Sequence, residues 1–172
     1  MTDLPCTPFV PDLVFPEALR WRAGQLWFSD MIAKRVCTAD EDGRVRSLAH
    51  FDEMPGGIGF LPDGTPLVVG MTSSRLFTIH DGHAEVYADL GDGSGGHLDD
   101  MAVCTDGTAY VGSVGDMAAK STDAPPDGAI VRVTPAGAVI REASELAFPN
   151  GAVMASGGTT LLVNETFAER IT

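Results

Sequence analysis

The 172 residues carry 24 Asp and Glu against 11 Lys and Arg, a net charge of −13, and 44% of them are apolar. This balance excludes the basic footprint of a nucleic-acid binder, disfavours an anionic membrane surface, and is too apolar for a disordered chain. No run approaches the ~20 apolar residues of a membrane span and no secretory leader opens the chain, so a cytoplasmic setting is expected, with Cys6, Cys37 and Cys104 as buried, reduced thiols outside any metal-ligand spacing.

Residues 1–16 contain Pro5, Pro8, Pro11 and Pro16. Proline excludes a helix here and leaves an extended lead-in, with Phe9 to Phe15 as an edge strand. Residues 17–172 then repeat one pattern: a short strand, a glycine turn, and a second apolar strand. The copies start near 17, 56, 99 and 150, and their turn glycines are Gly24, Gly64, Gly107 and Gly158. Spacings of roughly 40 to 50 residues are those of propeller blades. A propeller accounts for four in-register copies better than a meander sandwich does. The first three copies continue through two further strands, reversing at Asp42-Gly43, Asp81-Gly82 and Ala136-Gly137. The fold class is therefore all-β, a β-propeller of which this chain covers about three and a half blades.

Two segments depart from the repeat. GDGSGG (91–96) lacks the strand-to-helix setting of a phosphate loop and reads as a hinge or spacer. Residues 116–127 are inserted between two strands of the third blade, as a surface excursion or a lid. Residues 117–121 are too short for a helix. The fourth copy reaches only Arg170-Ile171-Thr172. Open sheet edges call for closure, either by a missing C-terminal half or by a second copy in a homodimer.

In a propeller the first strand of every blade starts at one face beside the axis, so residues at equivalent starts converge. Those residues are Glu17, Gly56, Asp99 and Asn150, each seven or eight places before its turn glycine. Two carboxylates and an amide are hard oxygen donors suited to Ca²⁺ or a similar divalent ion. Gly56-Gly57 would leave room for a substrate. Taken singly, Glu17 also reads as surface charge, Asn150 as a turn residue, Asp99 as a cap and His97 as a structural histidine. No Ser-His-Asp arrangement, Cys-His pair or zinc signature appears.

At these residues the sequence resembles the gluconolactonase, regucalcin (senescence marker protein) and luciferin-regenerating enzyme family. EALRW (17–21) followed by QLWFSD (25–30) is similar to the family's opening. PGGIGFLPDG (55–64), DDM (99–101), FPNG (148–151) and VNET (163–166) are similar to its successive blades. The resemblance implies a six-bladed propeller and a lactone hydrolase using a divalent cation, Ca²⁺ first, with Zn²⁺, Mn²⁺ and Mg²⁺ as alternatives. It implies Glu17 and Asn150 as metal ligands, while a third ligand, an Asp of a later blade, has no counterpart up to Thr172. Asp99 stands where the family usually has Asn, facing substrate or metal, and is a candidate base. His97 stands in place of a substrate-contacting Arg, and His97, Asp99 and Asp100 are the candidate substrate contacts. The expected ligand is a small lactone. Alternatives from other classes are a non-catalytic binding propeller, an assembling half-propeller, and a strictosidine-synthase-like propeller.

Overall fold

The computed structural model describes residues 5–116 and 127–172. Four antiparallel sheets follow one another along the chain. The first holds β1 (Pro16–Arg22), β2 (Gln25–Asp30), β3 (Arg35–Ala39) and β4 (Val45–His50) in sequence order. The second holds β5 (Pro55–Phe60), β6 (Pro66–Gly70), β7 (Arg75–His80) and β8 (His83–Asp89). The third holds β9 (His97–Val103), β10 (Ala109–Gly115), β11 (Gly128–Val133) and β12 (Val139–Leu146). The fourth is three-stranded: β13 (Pro149–Ala155), β14 (Thr160–Glu165) and β15 (Arg170–Ile171). The first strand of each sheet packs beside the first strand of the next, β1 on β5, β5 on β9 and β9 on β13. The four sheets thus form a propeller-like array, all-β as the repeat requires.

Local chemistry explains the reversals. Gly64 and Gly107 close the first turns of the second and third sheets at φ +92° and +88°. Just before them, Asp63 and Asp106 accept the Thr65 and Thr108 N–H groups at 2.9 and 2.8 Å. An aspartate accepting an N–H two residues on, followed by a glycine free to take positive φ, fixes a tight reversal.

The core lies between sheets, and alternation along each strand decides which side a residue serves. On β2 and β3, Trp27 and Val36 face the second sheet with Ile58 and Val68, while Phe28, Cys37 and Ala39 face the other way. Leu67, Val69, Leu76, Leu98, Met101, Val111 and Val131 fill the space between the second and third sheets. Ile130, Leu146 and Val163 do the same between the third and fourth. Edge-to-face contacts of Trp27 with Phe60 and Phe51 with Phe77, at 5.1 and 5.7 Å, tie the first two sheets together.

Three expectations are corrected. Residues 9–15 form no strand, because Pro8 and Pro11 lack donors and Asp12 takes φ 61°. Instead Val10 and Leu13 of this segment pack on Phe28, Cys37 and Ala39, covering the far face of the first sheet. GDGSGG is not a spacer but a packed 3-10 turn (Gly91–Ser94). The Ser94 hydroxyl is buried within hydrogen-bond distance of Ser74 Oγ and the Gly91 and Gly96 carbonyls, so it ties the second sheet to the third. Of the cysteines, Cys37 is buried, Cys104 is half-buried and Cys6 is exposed, and no disulfide joins them. The 117–121 segment and most of the 116–127 insertion lie outside the described residues.

Candidate functional site

Proline opens β1, β5 and β13. Pro16 pairs with Asp30, Pro55 with Gly70 and Pro149 with Glu165, each partner being the last residue of the second strand of its sheet. A strand's first residue has no ladder N–H to give, so proline fits there. The residue after each proline is Glu17, Gly56 or Asn150. Across sheets, a methyl group on Gly56 would lie 2.9 Å from the Asp99 carbonyl oxygen, and one on Gly57 2.7 Å from Asp100 Cα. Gly59 in turn abuts Met101 and Val103. The partner numbers rise together, so β5 and β9 run side by side in the same direction. These close approaches, rather than room for substrate, are what require glycine at 56 and 57.

Three acids meet at this end. The β1 ladder is interrupted by a bulge between Glu17 and Arg20, with Ala18 at φ 55°. Such a bulge re-aims the neighbouring side chains. Burial first, then the charges of Asp99 and Asp100, push the Glu17 carboxyl up to about 7. Burial and the Asp100 charge push Asp99 up to about 6. Glu17 Oε1 is buried without a hydrogen-bond partner, and Asp99 is 8% exposed. Desolvated carboxylates that repel one another are held in a state that a cation or a proton relieves.

Asp100 differs from the other two. Burial raises its pKa, but Arg20 and the Met101 and Ala152 N–H groups oppose that rise. Arg20 Nη2 lies 2.7 Å from Asp100 Oδ1 and 3.3 Å from the Met101 carbonyl oxygen. Asp100 thereby bridges β1, β9 and β13, and its Oδ1 stands 2.7 Å from where a Gly57 methyl would sit. Asn150 is half-buried beside Gly151, whose added methyl would be 3.9 Å from Asp100 Oδ2. His97 is half-buried at the start of β9, opposite Gly115, with Nδ1 buried and unpartnered. Further along the same strands, a cleft of about 360 Å³ is lined by Arg20, Arg22, Phe60, Met101 and Met154.

Sequence reading passed over the residues that hold these strand starts in place. Asp30 is fully buried and accepts the Val14 and Phe15 N–H groups at 3.0 and 2.9 Å, and Arg35 Nη2 at 2.8 Å. Glu165 is fully buried and accepts the Ala147 N–H at 2.8 Å, Arg170 Nε at 2.7 Å, and the Thr172 hydroxyl. One clamp fixes the chain just before Glu17, the other just before Asn150. The signal was present as an acid at the end of the second strand with an arginine five residues on, in both the first and fourth copies. Gly70 occupies that position in the second sheet, and Glu53 reaches over it to accept the Thr72 and Ser73 N–H groups at 2.9 Å.

Among the described residues, no three His, Cys, Asp or Glu side chains are gathered tightly enough to hold a metal ion by themselves. The donor chemistry nevertheless suits a hard cation. The unpartnered Glu17 oxygen, the Asp99 carboxylate and the Asn150 amide are oxygen donors, and the first two are charged and desolvated.

Residues 15–172 match the family model described as SMP-30/Gluconolactonase/LRE-like region. Among solved structures, a gluconolactonase of Xanthomonas campestris superposes with a TM-score of 0.78 at 22% identity, over 92% of this chain and 56% of its own. A calcium-binding protein, regucalcin, of Agrobacterium tumefaciens gives 0.75 at 19%, over 95% and 54%. A virginiamycin B lyase of Staphylococcus aureus gives 0.70 at 19%, over 94% and 53%. The chain thus spans about half the length of these structures, and at such identities they share its fold. No curated protein sequence matches it.

Proposed function

The chain belongs to the SMP-30/Gluconolactonase/LRE-like family, and we propose that it carries part of a lactonase site that works with a divalent cation. The observation that supports this reading is a pair of desolvated carboxylates on the first strands of the first and third sheets: Glu17, with one buried oxygen that has no hydrogen-bond partner, and Asp99. Glu17 and Asn150 would hold the ion, with Ca²⁺ first and Zn²⁺, Mn²⁺ or Mg²⁺ as alternatives. A divalent ion bound there would supply electrophilic polarisation of an ester carbonyl and neutralise the developing oxyanion.

The remaining steps fall to the protein's own groups. Asp99, pushed up to about 6, is ionised at neutral pH yet basic enough to accept a proton from an attacking water. The water oxygen bonds to the lactone carbonyl carbon, the ring C–O bond then breaks, and the proton held on Asp99 Oδ returns to the leaving alkoxide. Asp100, held by Arg20, orients the substrate, and His97, two residues before Asp99 on β9, is a further substrate contact. The substrate is a small lactone. Completion of the ring, by further blades or by a second copy, and a cytoplasmic setting belong to the same proposal.

The test is hydrolysis of gluconolactone and of a simple γ-lactone, with and without added Ca²⁺, Zn²⁺ or Mn²⁺. Metal-dependent turnover that falls at least about tenfold in Glu17→Gln and in Asn150→Ala is expected. Unchanged turnover in both variants would overturn the site.

A further inference from the structure

Arg20 is a half-buried cation on an inner strand. It lies on β1 three residues after Glu17, across the bulge, and its guanidinium reaches Asp100 on β9, two sheets away. The pair is close, at 2.7 Å, and largely shielded, with side-chain exposures of 30% for Arg20 and 16% for Asp100. A second contact to the Met101 carbonyl oxygen, at 3.3 Å, holds the guanidinium over the β9 backbone. Neither Glu17 nor Asp99 receives such a partner among the described residues, and one Glu17 oxygen is buried without any. The three acids are therefore not equivalent. One is tied on several sides, and two are left bare.

We propose that Arg20 is a positioning residue that removes Asp100 from the cation's ligand set and fixes the charge the site presents. This inference rests on the cation reading given above. With all three carboxylates ionised, they and the one guanidinium leave a net charge of −2, carried by Glu17 and Asp99, which a divalent ion neutralises. Without Arg20, Asp100 is unpaired and the site presents three negative charges, which favour a trivalent ion over a divalent one. The preference follows from Coulomb's law: an added unit charge beside the ion acts in proportion to the ion's own charge. Asp100 Oδ1, held by Arg20, lies 2.7 Å from where a Gly57 methyl would sit, so this carboxylate packs against β5. A single nitrogen, Nη2, serves both the Asp100 carboxylate and the Met101 carbonyl, while Nη1 donates to the Leu19 carbonyl at 3.0 Å and keeps the guanidinium in place.

The experiment is calorimetric titration of the 172-residue chain and three variants with CaCl₂ and, separately, TbCl₃. The readout is the ratio of the two affinities. Arg20→Met should raise the Tb³⁺/Ca²⁺ ratio on the order of tenfold. Arg20→Lys keeps the charge and should hold the ratio within about twofold of wild type. Arg20→Met with Asp100→Asn removes both members and should return the ratio to the wild-type value, because the net charge is then restored. A merely structural role for Arg20 would move both affinities together and leave the ratio where it was. Uptake of both ions with a ratio unmoved by Arg20→Met, or a double variant that keeps the single variant's ratio, overturns the role of Arg20 alone. A wild-type chain that takes up neither ion overturns the cation reading, and this inference with it.

Discussion

Replacing Glu17 by Gln should make the metal-free protein more stable at pH 8 while removing a cation ligand. Burial and the neighbouring Asp99 and Asp100 charges lift the Glu17 carboxyl from 4.5 to about 7. An acid whose folded pKa is raised contributes stability that is complete below its unfolded pKa and lost as pH rises through the folded one. At pH 8 the ionised Glu17 therefore destabilises the fold. The rise corresponds to about 3 kcal/mol for a fully shielded group, and solvent screening of a half-buried side chain brings this to about 1–2 kcal/mol. Glutamine keeps the shape and removes the charge. In a chain of this size the melting temperature should rise by about 2–8 °C. The assay is thermal unfolding in chelator at pH 8 and again at pH 4.5, where the difference between variant and wild type should shrink below about 0.5 kcal/mol. A variant less stable than wild type at pH 8, or a gain equally large at both pH values, would refute the account of Glu17 as a strained, unpartnered carboxylate.

Cation affinity should rise about tenfold or more between pH 5 and 8, measured by calorimetry, because the ligand Glu17 and the adjoining Asp99 charge titrate near 7 and 6 and attract the ion only when ionised. Glu165 has the opposite sign: Arg170, the Ala147 N–H and the Thr172 hydroxyl pull its carboxyl down to about 2 despite burial. Its contribution is present above about 4.5 and lost as pH falls toward 2. Glu165→Gln should therefore flatten the acid limb of a stability–pH curve followed by circular dichroism. Gly57→Ala should cost about 1–3 kcal/mol in denaturant unfolding and weaken cation uptake, since the added methyl would stand 2.7 Å from Asp100 Cα and 2.8 Å from the Met101 nitrogen. Leu76→Ala, between the second and third sheets, should cost about 2–5 kcal/mol without altering the Tb³⁺/Ca²⁺ affinity ratio.

The blades were legible because their information is local. Asp63-Gly64 and Asp106-Gly107 define their own turns within three residues, and alternation such as Trp27/Phe28 marks the two faces of a strand without reference to anything distant. Glu17, Asp99 and Asn150 could be singled out because a repeated offset from a glycine marks equivalent places. The lead-in was misread for the opposite reason. Val10 and Leu13 look like strand residues, but their partner is the outer face of β2 and β3, and the prolines leave packing as their means of holding on. GDGSGG has a flexible composition, yet the Ser94 hydroxyl and close backbone contacts pin it between sheets.

The sequence by itself determined the repeat, the all-β class and the equivalent strand starts on which the candidate side chains stand, since turn chemistry and two-residue alternation are written residue by residue. Only the tertiary structure decided how those side chains divide their work. Arg20 and Asp100 are eighty residues apart, and no spacing rule joins them; the packing of β1, β5, β9 and β13 around one axis does. The same packing leaves Glu17 without a partner and ties Asp100 down. Charge, desolvation and hydrogen bonding act through space, and so the character of each acid emerges only once the sheets have met.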